Sequence, residues 1–460
     1  MGVFVAMVVA LSFSMAQAAQ IDGLQTNSGA PLPAMLDVYV NPGDLGDALI
    51  GGYYNARGSL DMISLVNTST TTGVVVKVRF REGKYSNEVL DFFVCLSAGD
   101  RWTAWVYGDD DTSNPAHLYV WDNDTPTCPD FGDDNDQAFI YSGASCVTAD
   151  MTKEGYFTVI AVASWSDSPG ALTKAVKTDE ECCEVVGQAD ADDFCVNPPN
   201  DDPDCIDLVD AGNYLTGTVA IYDIVDGAAA YAYNMTALGN FSDVPIGNPG
   251  LGLDDPPTFA DCQDGLDGLN YVLTKESLIA LYDIEDYWSA QSDIIITFPT
   301  KTQTLTAGVG VQNPFQGDVD PDDDCSWYHD PCEPMDVTLW DDEENSPEIT
   351  HGFSPSTTTE LELCNEVNYI TMGEGAASLL DTDLLQFKVA MDGFQIGWVN
   401  FDFTQHHVAT RLIGLPSAAT PDATAHGLPV IGYELGSFID GYYGHMLPLR
   451  YTSDITGRQE

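Results

Sequence analysis

Val74-Val75-Val76-Lys77-Val78-Arg79-Phe80-Arg81 is the stretch that decides the fold class of this chain. Val76, Val78 and Phe80 fall on one side of an extended backbone, and Lys77, Arg79 and Arg81 fall on the other. Side chains alternate faces along a strand, so this is the period of a half-buried β-strand. Leu90, Phe92, Val94 and Leu96 repeat the period, and Gly99-Asp100 closes it with turn residues. Trp102 to Tyr107, His117 to Trp121, Ala138 to Tyr141 and Tyr156 to Ala163 continue the series.

Many short strands separated by turns point to a β-sandwich, placed here at residues 21–180. Residues 181–213 are rich in Asp and Pro and hold four of the eleven cysteines, so they read as an acidic, Cys-rich linker. Residues 214–460 return to strand character, with one exception. Leu278, Ile279, Leu281 and Tyr282 lead us to expect a helix over Lys275 to Trp288. The expected fold is mainly β, with two β-sandwich-like domains joined by that linker.

Charge narrows the function. Seventy-two acidic residues oppose fifteen basic ones, for a net charge of -57, yet 44% of residues are hydrophobic, enough to build cores. Charge on this scale opposes compaction unless cations, salt or a basic partner screen it. Binding to nucleic-acid phosphates is excluded for lack of a basic surface, and anionic membranes are disfavoured for the same reason.

The apolar run Val3 to Leu11, followed by Ala16-Gln17-Ala18, has the pattern of a secretory signal peptide over residues 1–19, although it lacks a basic n-region. No later stretch is long and apolar enough to span a bilayer, so no integral span is expected after cleavage. Eleven cysteines in an exported chain read as disulfides, and the odd number leaves at least one free or shared between chains. Cys182 and Cys183 are neighbours that cannot easily bridge each other, so each is expected to bond elsewhere. Cys325 and Cys332 flank an acidic loop and are expected to clamp it; Cys195 and Cys205 flank another.

That first loop contains Asp318, Asp320, Asp322 and Asp324. Carboxylates at every second position can converge on Ca²⁺, which takes six to eight oxygens in flexible geometry. The loop is not an EF-hand: the central Gly is absent and His329 stands at the twelfth position. The plainer reading is a solvated acidic loop. Acids around 109–136 and 190–204 form weaker clusters of the same kind.

Catalytic signatures are missing. The seven histidines form no His-Glu-x-x-His, and His406-His407 would point to opposite faces of a strand. There is no Gly-x-Ser-x-Gly elbow, Walker loop or GxGxxG. Among seventy-two acids a glycosidase-like pair can always be chosen, so choosing one carries no information. Lys77, Arg79, Arg81, Lys84 and Arg101 cluster on or beside the first strong strands. They either pair with nearby acids or form a cationic face that docks an acidic face of the next subunit. Trp102 and Trp105 read as core residues rather than a sugar platform.

The chain resembles a family of uncharacterised secreted or cell-surface proteins of proteobacteria. The likeness lies in Gly46-Asp47-Ala48-Leu49, Asn67-Thr68-Ser69, Lys77 to Lys84 leading to Val89-Leu90-Asp91-Phe92, and Glu154-Gly155-Tyr156. It continues in Thr297-Phe298-Pro299-Thr300-Lys301, Cys364 to Asn368, Gly397-Trp398 and Gly427 to Gly432. It implies an exported surface protein and no particular reaction. The expected function is an extracellular structural or assembly protein (a filament, sheath or surface-layer subunit) stabilised by disulfides and calcium, self-associating or joined to other surface components. A secreted ligand- or glycan-binding protein and a secreted hydrolase with an unmarked acid pair are the alternatives.

Overall fold

The computed structural model describes residues 39–121, 125–132, 134–141, 147–166, 178–179, 182–183, 208–209, 212–223, 229–239, 241, 269–270, 272–306, 314–315, 332–343, 361–373, 375–389, 393–404, 408–411, 423–439, 441, 443–452 and 455–456. Its strands are those of a mainly β protein. The first lobe uses β1 (Tyr39–Val40), β2 (Ala48–Asn55), β3 (Ser59–Asn67), β4 (Thr72–Glu82), β5 (Glu88–Leu96), β6 (Arg101–Tyr107), β7 (His117–Val120), β8 (Thr127–Cys128), β9 (Asp136–Ala138), β10 (Glu154–Ser166), β11 (Leu208–Val209), β12 (Leu215–Asp223), β13 (Ala230–Asn234) and β14 (Thr236–Gly239). The second uses β15 (Thr274–Lys275), β16 (Ser277–Asp283), β17 (Gln291–Thr297), β18 (Glu333–Asp341), β19 (Leu361–Leu363), β20 (Val367–Met372), β21 (Leu385–Val389), β22 (Ile396–Asp402), β23 (Val408–Arg411), β24 (Ala423–His426), β25 (Leu428–Pro429), β26 (Ile431–Phe438), β27 (Tyr443–Pro448), β28 (Arg450–Thr452) and β29 (Ile455–Thr456).

Four sheets carry the architecture. Sheet I runs β1-β14-β2-β10-β4-β5-β8, with β11 also paired to β10, and sheet II runs β13-β12-β3-β6-β7-β9. They face each other across Phe92, Trp102, Ile63, Leu65 and Val106. Sheet III runs β21-β20-β17-β26-β27 and sheet IV runs β19-β18-β22-β16-β28. Leu278, Ile294, Leu339, Val399 and Phe401 fill the space between these two.

Sheets I and III are covered on both faces. Every residue of β2 and of β20 is buried. Along β17, Ile294 and Ile296 point into the core of the second lobe, while Ile295 joins the core of the first. Tyr369 and Ile370 divide the same way on β20. The lobes therefore stack as layers, sheet II on I and sheet III on IV, with I against III. Strands buried on both faces read as continuous apolar runs. This explains why Leu49 to Tyr54 shows no clean alternation.

Two expectations need correction. Residues 277–283 are a strand, not a helix. Leu278, Ala280 and Tyr282 point inward at period two, and a 3₁₀ turn follows only at Asp286–Trp288. The division of the chain also moves. The strands between 215 and 239 lie beyond the linker in sequence but pair within sheets I and II, β12 along the whole of β3 and β14 on β2.

The disulfides hold sheet I at its edge. Cys95 bonds Cys182 and Cys128 bonds Cys183, so adjacent cysteines staple one segment to β5 and β8, as the sequence implied. Cys332 bonds Cys364, not Cys325. Pairing of β18 with β19 explains the difference, because it brings the chain just before Glu333 opposite Leu363.

Gly52 sits where the lobes meet. A Cβ there would lie 2.7 Å from the Tyr433 ring, so only glycine lets that ring approach. Thr297 Oγ1 donates to the Gly52 carbonyl at 2.6 Å from the other lobe. Gly52→Val should therefore destabilise the protein by about 1–3 kcal/mol, the usual cost of overpacking. Thermal unfolding of the variant against the parent measures this; an unchanged midpoint would mean the ring is not held against Gly52.

Candidate functional site

The seam between the lobes holds most of the chemistry that is buried. Glu154 opens β10 with its side chain fully enclosed. Its Oε1 accepts from Tyr53 OH at 2.7 Å and from Thr382 Oγ1 at 2.5 Å, and its Oε2 accepts from the Asp383 amide at 3.0 Å. Arg57 Nε lies 3.4 Å from the same carboxylate. Burial pushes the Glu154 carboxyl up, while Thr382, Arg57, Tyr53 and Asp383 pull it back. Asn55 completes the clamp, donating to Tyr53 OH and to the Asp381 carbonyl, both at 2.8 Å. A buried acid normally needs this many partners. Here two of them come from the loop between β20 and β21, so the acid fastens the second lobe to the first.

Tyrosines continue the seam. Tyr53 and Tyr369 lie 6.4 Å apart between ring centroids, and Tyr233 and Tyr433 lie 4.4 Å apart. Tyr369 OH donates to Asp293 Oδ2 at 2.6 Å, and the Leu379 amide donates to the same oxygen at 2.6 Å. Asp293 is fully buried, and burial pushes its carboxyl up to about 7 against those donors. A third knot lies where the β4–β5 turn docks. Glu82 accepts from the amides of Lys84, Tyr85 and Asn87, which shapes the turn. The Gly83 carbonyl then accepts from the Val367 amide at 2.8 Å. Glu366 beside it is pushed up to about 7, chiefly by burial, with Lys301 opposing. Lys301 Nζ is 3.7 Å from Glu333 Oε1, and both side chains are enclosed.

The sequence-selected groups fall as follows. Asp318, Asp320, Asp322, Asp324 and Cys325 lie outside the described residues, as do Cys195 and Cys205. Among the described residues, no group of three or more His, Cys, Asp or Glu side chains is placed to hold a metal ion. No helix among them is long and apolar enough to cross a membrane. Within the basic cluster, Lys77 and Arg79 pair with acids of the same chain. Lys77 Nζ is 2.7 Å from Asp91 Oδ2 and Arg79 Nε is 2.8 Å from Glu88 Oε2. At 4% and 7% exposure, Lys77 and Arg79 form no docking face, because their partners stand on the neighbouring strand β5.

Trp102 is core, packed 5.8 Å from Phe92 between centroids, but Trp105 is not. It lies on the outer face of sheet II, one of six aromatic rings there. Register places Trp105 beside Tyr119, Tyr107 beside His117, and the Trp121 amide on the Thr103 carbonyl. Trp105 contacts Tyr222 at 6.0 Å, Tyr107 contacts His117 at 5.5 Å and Tyr119 contacts Trp121 at 6.4 Å. Asp136 ties the rings together, accepting from Tyr107 OH at 3.0 Å and meeting His117 Nδ1 at 3.2 Å. Alternation of Trp102, Ala104 and Val106 against Trp105 and Tyr107 is the signal that separates the faces in the sequence.

No protein-family model, curated protein or solved structure matches the chain.

Asp293 sets a pH dependence. Its folded value of about 7 lies above its ordinary 3.8, so its contribution is complete below about 4 and is lost as pH rises through about 7. Asp293→Asn should flatten the fall in thermal midpoint between pH 5 and pH 8, by a contribution on the order of a few kcal/mol in the parent. An identical slope in parent and variant would remove Asp293 from the account.

Proposed function

We propose that the chain is an exported structural protein of the cell exterior, a filament, sheath or surface-layer subunit. The observation that carries the reading is the use made of buried ionisable groups. Glu82, Glu154, Asp293, Glu366, Arg57 and Lys301 bond across the lobe seam or brace a segment that docks there. Groups committed in this way make a rigid body rather than a reaction centre. The disulfides agree with an oxidising exterior, since such bonds are rare where thiols are kept reduced. The apolar residues 3–19 supply the route of export.

Copies that each carry -57 repel one another, so assembly requires cations between them. The Asp318, Asp320, Asp322 and Asp324 loop is the place we assign to calcium, in the weak range of about 10⁻⁴ to 10⁻³ M common for extracellular modules. Electron microscopy of the exported protein should show ordered particles with calcium that dissolve in chelator. Monodisperse monomers in both conditions would refute the assembly reading. The aromatic face of sheet II favours a second reading, capture of an extracellular ligand.

A further inference from the structure

The outer face of sheet II can be laid out from its register. One row runs Ala232, Ala220, Met62, Trp105, Tyr119 and Asp136. The next runs Ala230, Tyr222, Leu60, Tyr107, His117 and Ala138. On the other side lie Asn234, Thr218, Ser64, Thr103 and Trp121, then Thr216, Val66 and Arg101. The aromatic side chains are half-buried by one another, except Trp121, which is 66% exposed.

Two properties set this face apart. The first is charge. Arg101 and Asp136 are the formal charges in these four rows, and they cancel, on a chain of net -57. The second is the mixture of ring faces with hydrogen-bonding groups. Tyr107, His117 and Asp136 form one bonded set, and Arg101 Nη2 is held on Ser64 Oγ at 2.8 Å. The Asp136 side chain stays 30% exposed, and a carboxylate keeps acceptor capacity after accepting two bonds. From β12 to β7 the rings span three strand spacings, about 14 Å.

We infer that this face binds a neutral polysaccharide. Sugar rings offer apolar C–H faces to Trp and Tyr, and hydroxyls that donate to Asp136 and to the Tyr107 oxygen and accept from Arg101. The span suits several sugar units in a row. An anionic polymer would be repelled by the rest of the chain, whereas a neutral one meets no such barrier. A second copy of the chain would bring the same -57 to the contact and be repelled. Half-buried rings grouped around the exposed Trp121 mark an interaction site. The inference deepens the ligand-capture reading and stands apart from assembly, because its test uses purified protein in solution.

Affinity electrophoresis with hydroxyethylcellulose, galactomannan and soluble starch in the gel tests it, with alginate as the anionic control. At least one neutral polymer should retard the protein and alginate should not. Trp121→Ala and Tyr119→Ala should each weaken the retardation tenfold or more. Trp340→Ala, on sheet IV, should leave it unchanged. Trp121 is exposed, so its replacement keeps the fold, and circular dichroism confirms that. No retardation by any neutral polymer, or equal retardation of parent and Trp121→Ala, would overturn the inference. So would a shift from oligomer to monomer in Trp121→Ala by sedimentation velocity, which would assign the face to a second copy.

Discussion

Enclosing Glu154 is the constraint on which the rest of the structure depends. A carboxylate taken out of water must be given hydrogen bonds and a cation, and no single element of this fold supplies them all. Tyr53 and Arg57 approach from the first lobe; Thr382 and Asp383 approach from the second. The two sandwiches must meet in one register for the set to close. The tyrosines around it, and the loss of a side chain at Gly52, then follow as packing around a fixed point.

This arrangement places the charge of the chain in perspective. Among the described residues, the buried acids Glu82, Glu154 and Asp293 are each answered by donors. A surface so acidic keeps copies apart until cations intervene. In the four rows of the outer face of sheet II, Arg101 and Asp136 cancel, and aromatic rings are grouped there. The proposed ligand capture through rings and the proposed assembly through carboxylates and cations therefore call on different parts of one molecule.

The β class was legible because β4 and β5 show period two, and the adjacent Cys182 and Cys183 foretold two separate bridges. The lobe seam was not legible. Its partners stand far apart along the chain, as Asn55 and Asp381 do, and local pattern carries no signal for such pairs. The strand at 277–283 looked helical because Leu278, Ile279, Leu281 and Tyr282 fit both periods; the burial of Leu278, Ala280 and Tyr282 decides between them. Trp105 was read as core because apolar rings usually go inward, whereas strand alternation with Trp102 puts it outside. The acidic segment Asp318 to Asp324, where calcium was expected, lies outside the described residues, so the structure does not touch that expectation.

Differential scanning calorimetry tests the central claim most directly. A seam that joins the two sandwiches through shared buried groups makes them unfold together. The account predicts one transition, with calorimetric and van't Hoff enthalpies equal. Two separate transitions, one for each lobe, would contradict it.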